Sequence, residues 1–138
     1  MREKLKNYAL IATIFIVSAI SSQAIAQEKG NNGWVAPKEA DQITNPLKGN
    51  EEATKAGKKL FQQQCVVCHG DSGKGDGVAS VALNPKPANF NSENVQKETD
   101  GAIFWKITNG RPPMVSYKDM LTEEQRWQLV NYIRTFSK

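Results

Sequence analysis

The chain has 138 residues, 39% hydrophobic and 23% charged, with a formal net charge of +4, two cysteines and one histidine. That length admits one domain plus a removable N-terminal segment, and two cysteines cannot build a disulfide scaffold. Losing Arg2, Lys4, Lys6 and Glu3 with a leader would take 18 basic and 14 acidic residues to 15 and 13, a near balance that gives no case for nucleic-acid binding.

Residues 1–26 read as a signal peptide. Arg2, Lys4 and Lys6 form a basic start, Ala9 to Ile20 an apolar run, and Ala24-Ile25-Ala26 a small-x-small cleavage site before Gln27. The run is short for a bilayer span. A retained anchor is the competing reading, but an anchor has no use for the cleavage site. The expected address is the periplasm or the extracytoplasmic face of a membrane. Residues 27–49 carry Gly30, Gly33, Pro37 and Pro46 among polar side chains and read as an extended polar arm. Trp34 and Val35 are the residues expected to dock it, with a partner contact as the alternative for Trp34.

The domain expected over 50–138 opens on a helix. Asn50 reads as the N-cap, and Glu51 and Glu52 place acids in the first turn, where the helix dipole favours them. Ala53, Gly57, Leu60, Phe61 and Gln64 then recur at helical spacing. A glycine inside a helix costs about 1 kcal/mol relative to alanine, so Gly57 marks a close approach of another backbone.

The helix runs into Cys65-Val66-Val67-Cys68-His69, which holds both cysteines and the sole histidine. This CxxCH pattern is the signature of covalent c-type haem attachment. Cys65 and Cys68 lie about one helical turn apart, so both thiols face the two vinyl groups on one porphyrin edge. His69 then falls beneath the iron as its proximal ligand. The alternatives fit poorly: a structural zinc site needs four ligands, and a thioredoxin-like motif needs a βαβ pattern that is absent from the sequence.

Gly70 to Gly77 carries four glycines and reads as a tight loop rather than a phosphate or calcium loop, whose motif endings it lacks. Leu83 to Phe90, with Pro85 and Pro87, is a rigid turn-rich segment. Asp100 is expected to cap a helix over 101–108 with Ile103, Phe104 and Ile107 as its apolar stripe, ended by Asn109-Gly110. Trp105 stands off that stripe; its indole N–H is a candidate for a haem propionate, with plain packing as the alternative.

With no second histidine, a methionine thioether is the natural sixth iron ligand. Met1 leaves with the leader, so Met114 and Met120 remain. Met114 follows Arg111-Pro112-Pro113, whose prolines restrict the backbone and hold the sulfur out. Met120 stands beside Leu121 and reads as core. Thr122-Glu123-Glu124-Gln125 forms a capping box for the last helix, whose buried face is drawn from Trp127, Val130, Tyr132, Ile133 and Phe136.

From Asn50 to Phe136 the chain resembles the class I (monohaem, His/Met) cytochrome c family. Gly57 and Phe61 stand eight and four residues before the first haem cysteine, as in that family, and Leu129-Val130-Asn131-Tyr132-Ile133-Arg134 resembles its C-terminal helix, with Tyr132 as the aromatic that crosses at the glycine. The resemblance implies an all-α, small cytochrome c fold of about three helices and long loops wrapped around one haem c. It also implies that a carbonyl of the proline-containing loop, with Pro87 or Pro85 as the candidate, accepts the hydrogen bond from the other ring nitrogen of His69. Met114-Val115-Ser116-Tyr117 resembles the family's ligand loop, with Val115 where proline is common.

The function expected is an exported one-electron carrier in a respiratory or periplasmic chain, not an enzyme. Iron held by His69 and Met114 has no vacant position for a small-molecule substrate. Its partners are redox proteins, including membrane-bound complexes, and Lys74, Lys86 and Lys118 are candidates to steer an acidic one. Two alternatives stand beside it: a haem-bearing subunit of a larger oxidoreductase, and a gas-binding haem sensor or enzyme with labile Met ligation, for which Arg111 is the nearby distal candidate.

Overall fold

Three long helices and two one-turn helices carry the fold in the computed structural model, which describes residues 33–137. They are α1 (Glu51–Gln64), α2 (Val66–His69), α3 (Glu93–Gln96), α4 (Asp100–Asn109) and α5 (Glu123–Arg134). Two 3-10 turns, Lys38–Gln42 and Val78–Ala82, add to them. Among the described residues the β pairing is a single isolated bridge, Arg111 to Met114. The leader expected over 1–26 and its cleavage site lie outside the described residues. No helix among those described is long and apolar enough to cross a membrane.

The helix ends follow their capping chemistry. The Asn50 side chain accepts from the Ala53 N–H at the start of α1, and Thr122 and Gln125 form the reciprocal capping box of α5. Helix α4 starts one residue earlier than expected. Thr99, not Asp100, is its cap and accepts from the Ala102 N–H. That frees Asp100, now the first helical residue, to take hydrogen bonds from Asn45 and Arg134.

Helices α1 and α5 form the main helix pair, and Gly57 is what lets them meet. A side chain at Gly57 would collide with the Gln128 carbonyl and the Leu129 amide of α5. One turn on, Phe61 is buried with Leu129 and Val130 and meets Tyr132 edge-on at 5.2 Å between ring centroids. Phe90 and Phe136 complete the aromatic cluster. On the other side of α5, Trp127 stacks on Phe104 of α4 at 3.9 Å. Met120 is not core: it is 60% exposed, and the buried residue at that bend is its neighbour Leu121.

The segment expected to be an extended arm is, over 33–49, folded onto the helices. Ala40 is buried, and Gly101 lacks a side chain where the Ala40 and Ile43 carbonyls press against α4. Asn45 donates to Asp100 at 2.9 Å and to Asn131 at 2.8 Å, and Asn131 donates back to the Leu47 carbonyl at 2.6 Å. Arg134 closes the cluster on Asp100 at 2.7 Å. Trp34 packs inward, whereas Val35 is 76% exposed and docks nothing.

Candidate functional site

The helices enclose a cavity of about 320 Å³. Cys65, Cys68 and His69 reach it from the junction of α1 and α2, Pro87, Ala88 and Phe90 from the loop before α3, Ile103 and Ile107 from α4, and Met114 and Tyr117 from the loop after α4. The CxxCH residues and Met114 thus line one space, although 45 residues separate His69 from Met114 in the sequence.

The His69 side is fixed by several bonds. His69 is only 9% exposed, and its Nδ1 lies 3.1 Å from the Ala88 carbonyl oxygen. A carbonyl only accepts, so Nδ1 carries the proton and Nε2 keeps its lone pair. Burial lowers the imidazole pKa, against a smaller upward pull from the Ala88 bond, which favours the neutral ring. Phe90 stacks on it at 4.4 Å and 16°. The loop after α2 folds back on the same turn: the Gly75 N–H donates to the His69 carbonyl at 2.8 Å and the Gly77 N–H to the Cys68 carbonyl at 3.1 Å. Gly75 has a positive φ of 77° and no room for a side chain, because the Pro87 carbonyl lies against it.

That last contact corrects the expected histidine partner. Pro87 and Pro85 both line the cavity, but the carbonyl of Pro87 is turned toward Gly75 and it is the next one, of Ala88, that meets the ring. Trp105 does not line the cavity. Ile103, Lys106 and Ile107, at i, i+3 and i+4, form the cavity face of α4, and Trp105 points some 200° round from Ile103. The tryptophan that does line the cavity is Trp34 of the arm.

Met114 is placed through its backbone. Its N–H donates to the Arg111 carbonyl at 2.8 Å and its carbonyl accepts from the Arg111 N–H at 3.0 Å. Gly110, φ 64°, ends α4 and lets the Val115–Ser116 backbone pass against it, where a side chain would collide. The Ser116 hydroxyl donates to the Thr108 carbonyl at 2.7 Å, and the Tyr117 N–H to the Ile107 carbonyl at 3.2 Å. Burial pushes the Tyr117 phenol up to about 12, so it stays protonated and donates to the Gln64 carbonyl at 3.0 Å. The ligand-loop candidate is thereby tied to the end of α1, directly beside Cys65.

The two cysteines are unpaired with each other. Burial, and then the neighbouring Cys68, push the Cys65 thiol up to about 12. Reactive redox thiols have lowered pKa values, which Cys65 does not share. Two thiols, a neutral imidazole with a free lone pair and a thioether around an apolar space do fit a haem.

Fold and site together define a small all-α c-type cytochrome, a haem electron carrier with one covalently bound haem c. A family profile described as cytochrome C oxidase, cbb3-type, subunit III matches residues 52–133, and the chain belongs to that family. It is 30% identical over 79 residues to cytochrome c6 of Leptolyngbya boryana, a match covering 56% of this chain and 86% of that protein. Among solved structures it resembles a chain of the Kuenenia stuttgartiensis reducing HAO-like protein complex Kustc0457/Kustc0458, with TM-score 0.59 and 26% identity over 70% of this chain. The match spans only half of that chain. It also resembles the KustC0563 c-type cytochrome, with TM-score 0.52 and 33% identity over 59% of this chain and 98% of the other.

Sequence reasoning missed Ala88, Glu98 and Lys106, which line the cavity together with Trp34 and Arg111. The signal for Lys106 was present in its spacing from Ile103.

Proposed function

We propose that Cys65 and Cys68 hold the haem as thioethers, that His69 and Met114 are its axial iron ligands, and that the protein is an exported one-electron carrier between redox proteins outside the cytoplasm. The haem supplies an iron that cycles between ferric and ferrous states. The chain's own part is to hold and tune it. Ala88 and Phe90 fix the imidazole so that its ligating nitrogen does not move between oxidation states, and the Ala88 hydrogen bond raises its basicity. The bridged turn at Arg111 and Met114 presents a thioether, a soft ligand that raises the potential. Ile103, Ile107 and Phe90 exclude water.

The observation that carries this reading is the 3.1 Å bond from His69 Nδ1 to Ala88, which leaves Nε2 as the ligating atom in a cavity shared with Met114 and both cysteines. The leader features of residues 1–26 support export, which haem attachment in an oxidising compartment suits. Mass spectrometry tests the attachment: the exported wild type carries one haem covalently and starts near Gln27, and Cys65→Ala/Cys68→Ala carries none. Wild-type protein without covalent haem would sink the proposal.

The similarity to part of a chain in the HAO-like complex favours a second reading, in which the domain serves as a haem-bearing subunit of a larger oxidoreductase. Copurification from the native host separates the two readings. A stable stoichiometric partner that is lost on deletion of 28–48 would select the subunit.

A further inference from the structure

The loop that carries Met114 is bonded on two sides. Within the loop, Met114 and Arg111 exchange backbone bonds at 2.8 and 3.0 Å. Behind it, the Ser116 hydroxyl donates to the Thr108 carbonyl at 2.7 Å and the Tyr117 N–H to the Ile107 carbonyl at 3.2 Å. Thr108 and Ile107 belong to the last turn of α4, so these bonds fix the loop only to the helix it follows. The Tyr117 hydroxyl reaches across instead. It donates at 3.0 Å to the Gln64 carbonyl, 53 residues away in the chain.

Gln64 is the last residue of α1, and Cys65 follows it. The last four carbonyls of a helix have no partner inside it. That of Phe61 takes the Cys65 N–H at 2.8 Å, and that of Gln64 takes the phenol. Tyr117 is buried, and Gln64, Cys65, Met114 and Tyr117 all line the cavity. Stripped of its donor, the Gln64 carbonyl would sit in partly dry surroundings, where an unmade bond is costly. Backbone stiffness does not replace this tie. Pro112 and Pro113 lock φ before Met114, whereas Val115 and Ser116 after it leave φ free, and both are exposed.

We propose that the Tyr117 hydroxyl is a latch that keeps the Met114 loop closed against the haem-attachment turn, and that it sets how readily the sixth iron position opens to another ligand. Tyr117 is thus a positioning residue that acts through Met114. The inference rests on the His69 and Met114 ligation proposed above. Rotation of the methionine side chain alone leaves its sulfur in the same cavity, so a lasting opening requires the loop to swing away from α1, and that motion breaks the bond to Gln64. An incoming ligand binds only the open fraction, and its apparent affinity scales with that fraction.

The test titrates imidazole into ferric holoproteins of wild type, Tyr117→Phe, Tyr132→Phe and Met114→Ala, followed by the visible spectrum, with haem content read from the pyridine haemochrome. Tyr117→Phe keeps the buried ring and loses one hydroxyl; it is expected to bind imidazole about fivefold more tightly than wild type. Tyr132→Phe removes the same atom from α5, away from the loop, and holds the wild-type affinity. A haem-loaded Tyr117→Phe with wild-type affinity overturns the proposal, as does equal tightening in Tyr132→Phe. If Tyr117→Phe does not accumulate as holoprotein, the wild type decides by NMR: contacts between the Tyr117 ring and Gln64 that vanish at saturating imidazole support the latch, and contacts that persist overturn it. Wild type that binds imidazole as tightly as Met114→Ala overturns the ligation reading, and this inference with it.

Discussion

The His69 wall and the Met114 wall of the cavity are held in different ways. The imidazole is fixed directly, by the Ala88 carbonyl on one nitrogen and by the Phe90 ring on its face, and its own backbone carbonyl is bonded to Gly75. The thioether is placed indirectly: the Arg111 bridge, Ser116 and Tyr117 fix the loop, while the side chain keeps three rotatable bonds and a weak acceptor. One wall is over-determined and the other is positioned at one remove. If His69 and Met114 are the iron ligands proposed above, the difference predicts that Met114 yields first under ligand challenge or heat.

The broadest cut removes the cofactor on which both walls close. With the haem gone, the cavity of about 320 Å³ between the two walls is left unfilled, and unfilled apolar space destabilises a core. Cys65→Ala/Cys68→Ala is therefore expected to lose most of its helicity by circular dichroism, and native helicity in that variant would contradict the account. The next cut falls behind the His69 wall. Gly57→Ala places a side chain on the Gln128 carbonyl, and overpacking of this kind costs about 1–3 kcal/mol. Its thermal midpoint should fall clearly, while an unchanged midpoint would mean that α1 and α5 separate cheaply.

Cuts on the two walls themselves should differ in size. Phe90→Leu removes the ring stacked on His69 and is expected to cost about 0.5–1.5 kcal/mol in denaturant melts of the holoprotein. Val115→Ala, beside Met114 but 54% exposed, should stay within about 0.5 kcal/mol. Equal losses would erase the distinction between the walls.

The smallest expected effect comes from Asp100, which lines neither. Burial pushes its carboxyl up, but hydrogen bonds from Asn45 and Arg134 and the charges of Arg134 and Lys48 outweigh this and hold it below the usual 3.8. A lowered folded-state pKa gives stability that is present above 3.8 and lost as pH falls through the folded value. Acid titration should thus show a loss beginning near pH 4 that Asp100→Asn flattens, with no change in the haem spectrum over the onset. A spectral change at that onset would couple the cluster to the iron ligands.

The parts legible in the sequence are those fixed by local chemistry or by one dominant constraint. Asn50 and Thr122 are caps because their side chains reach their own helix ends, and Gly57 marks the crossing because only glycine leaves room for Gln128. The CxxCH turn was readable because thioether attachment demands that spacing. What escaped depends on rotations and distances that no short window holds. Whether Pro87 or Ala88 offers its carbonyl to His69 turns on one peptide plane, and the Pro87 carbonyl lies against Gly75 instead. Thr99 and Asp100 are both cap formers, and the choice is settled by Arg134, 34 residues on. Met120 and Leu121 have similar hydropathy, yet only one side of that bend faces the core. Trp34 and Trp105 could not be ranked without the path of the arm.

The most direct test of the central claim, that His69 and Met114 close both faces of the iron, is the visible spectrum of the ferric and ferrous holoprotein with and without carbon monoxide, beside Met114→Ala and Met120→Ala. The account predicts a low-spin wild type that ignores carbon monoxide, a Met120→Ala protein that matches it, and a Met114→Ala protein that binds the gas while keeping its haem. Ready carbon monoxide binding by the wild type, or by Met120→Ala alone, would contradict it.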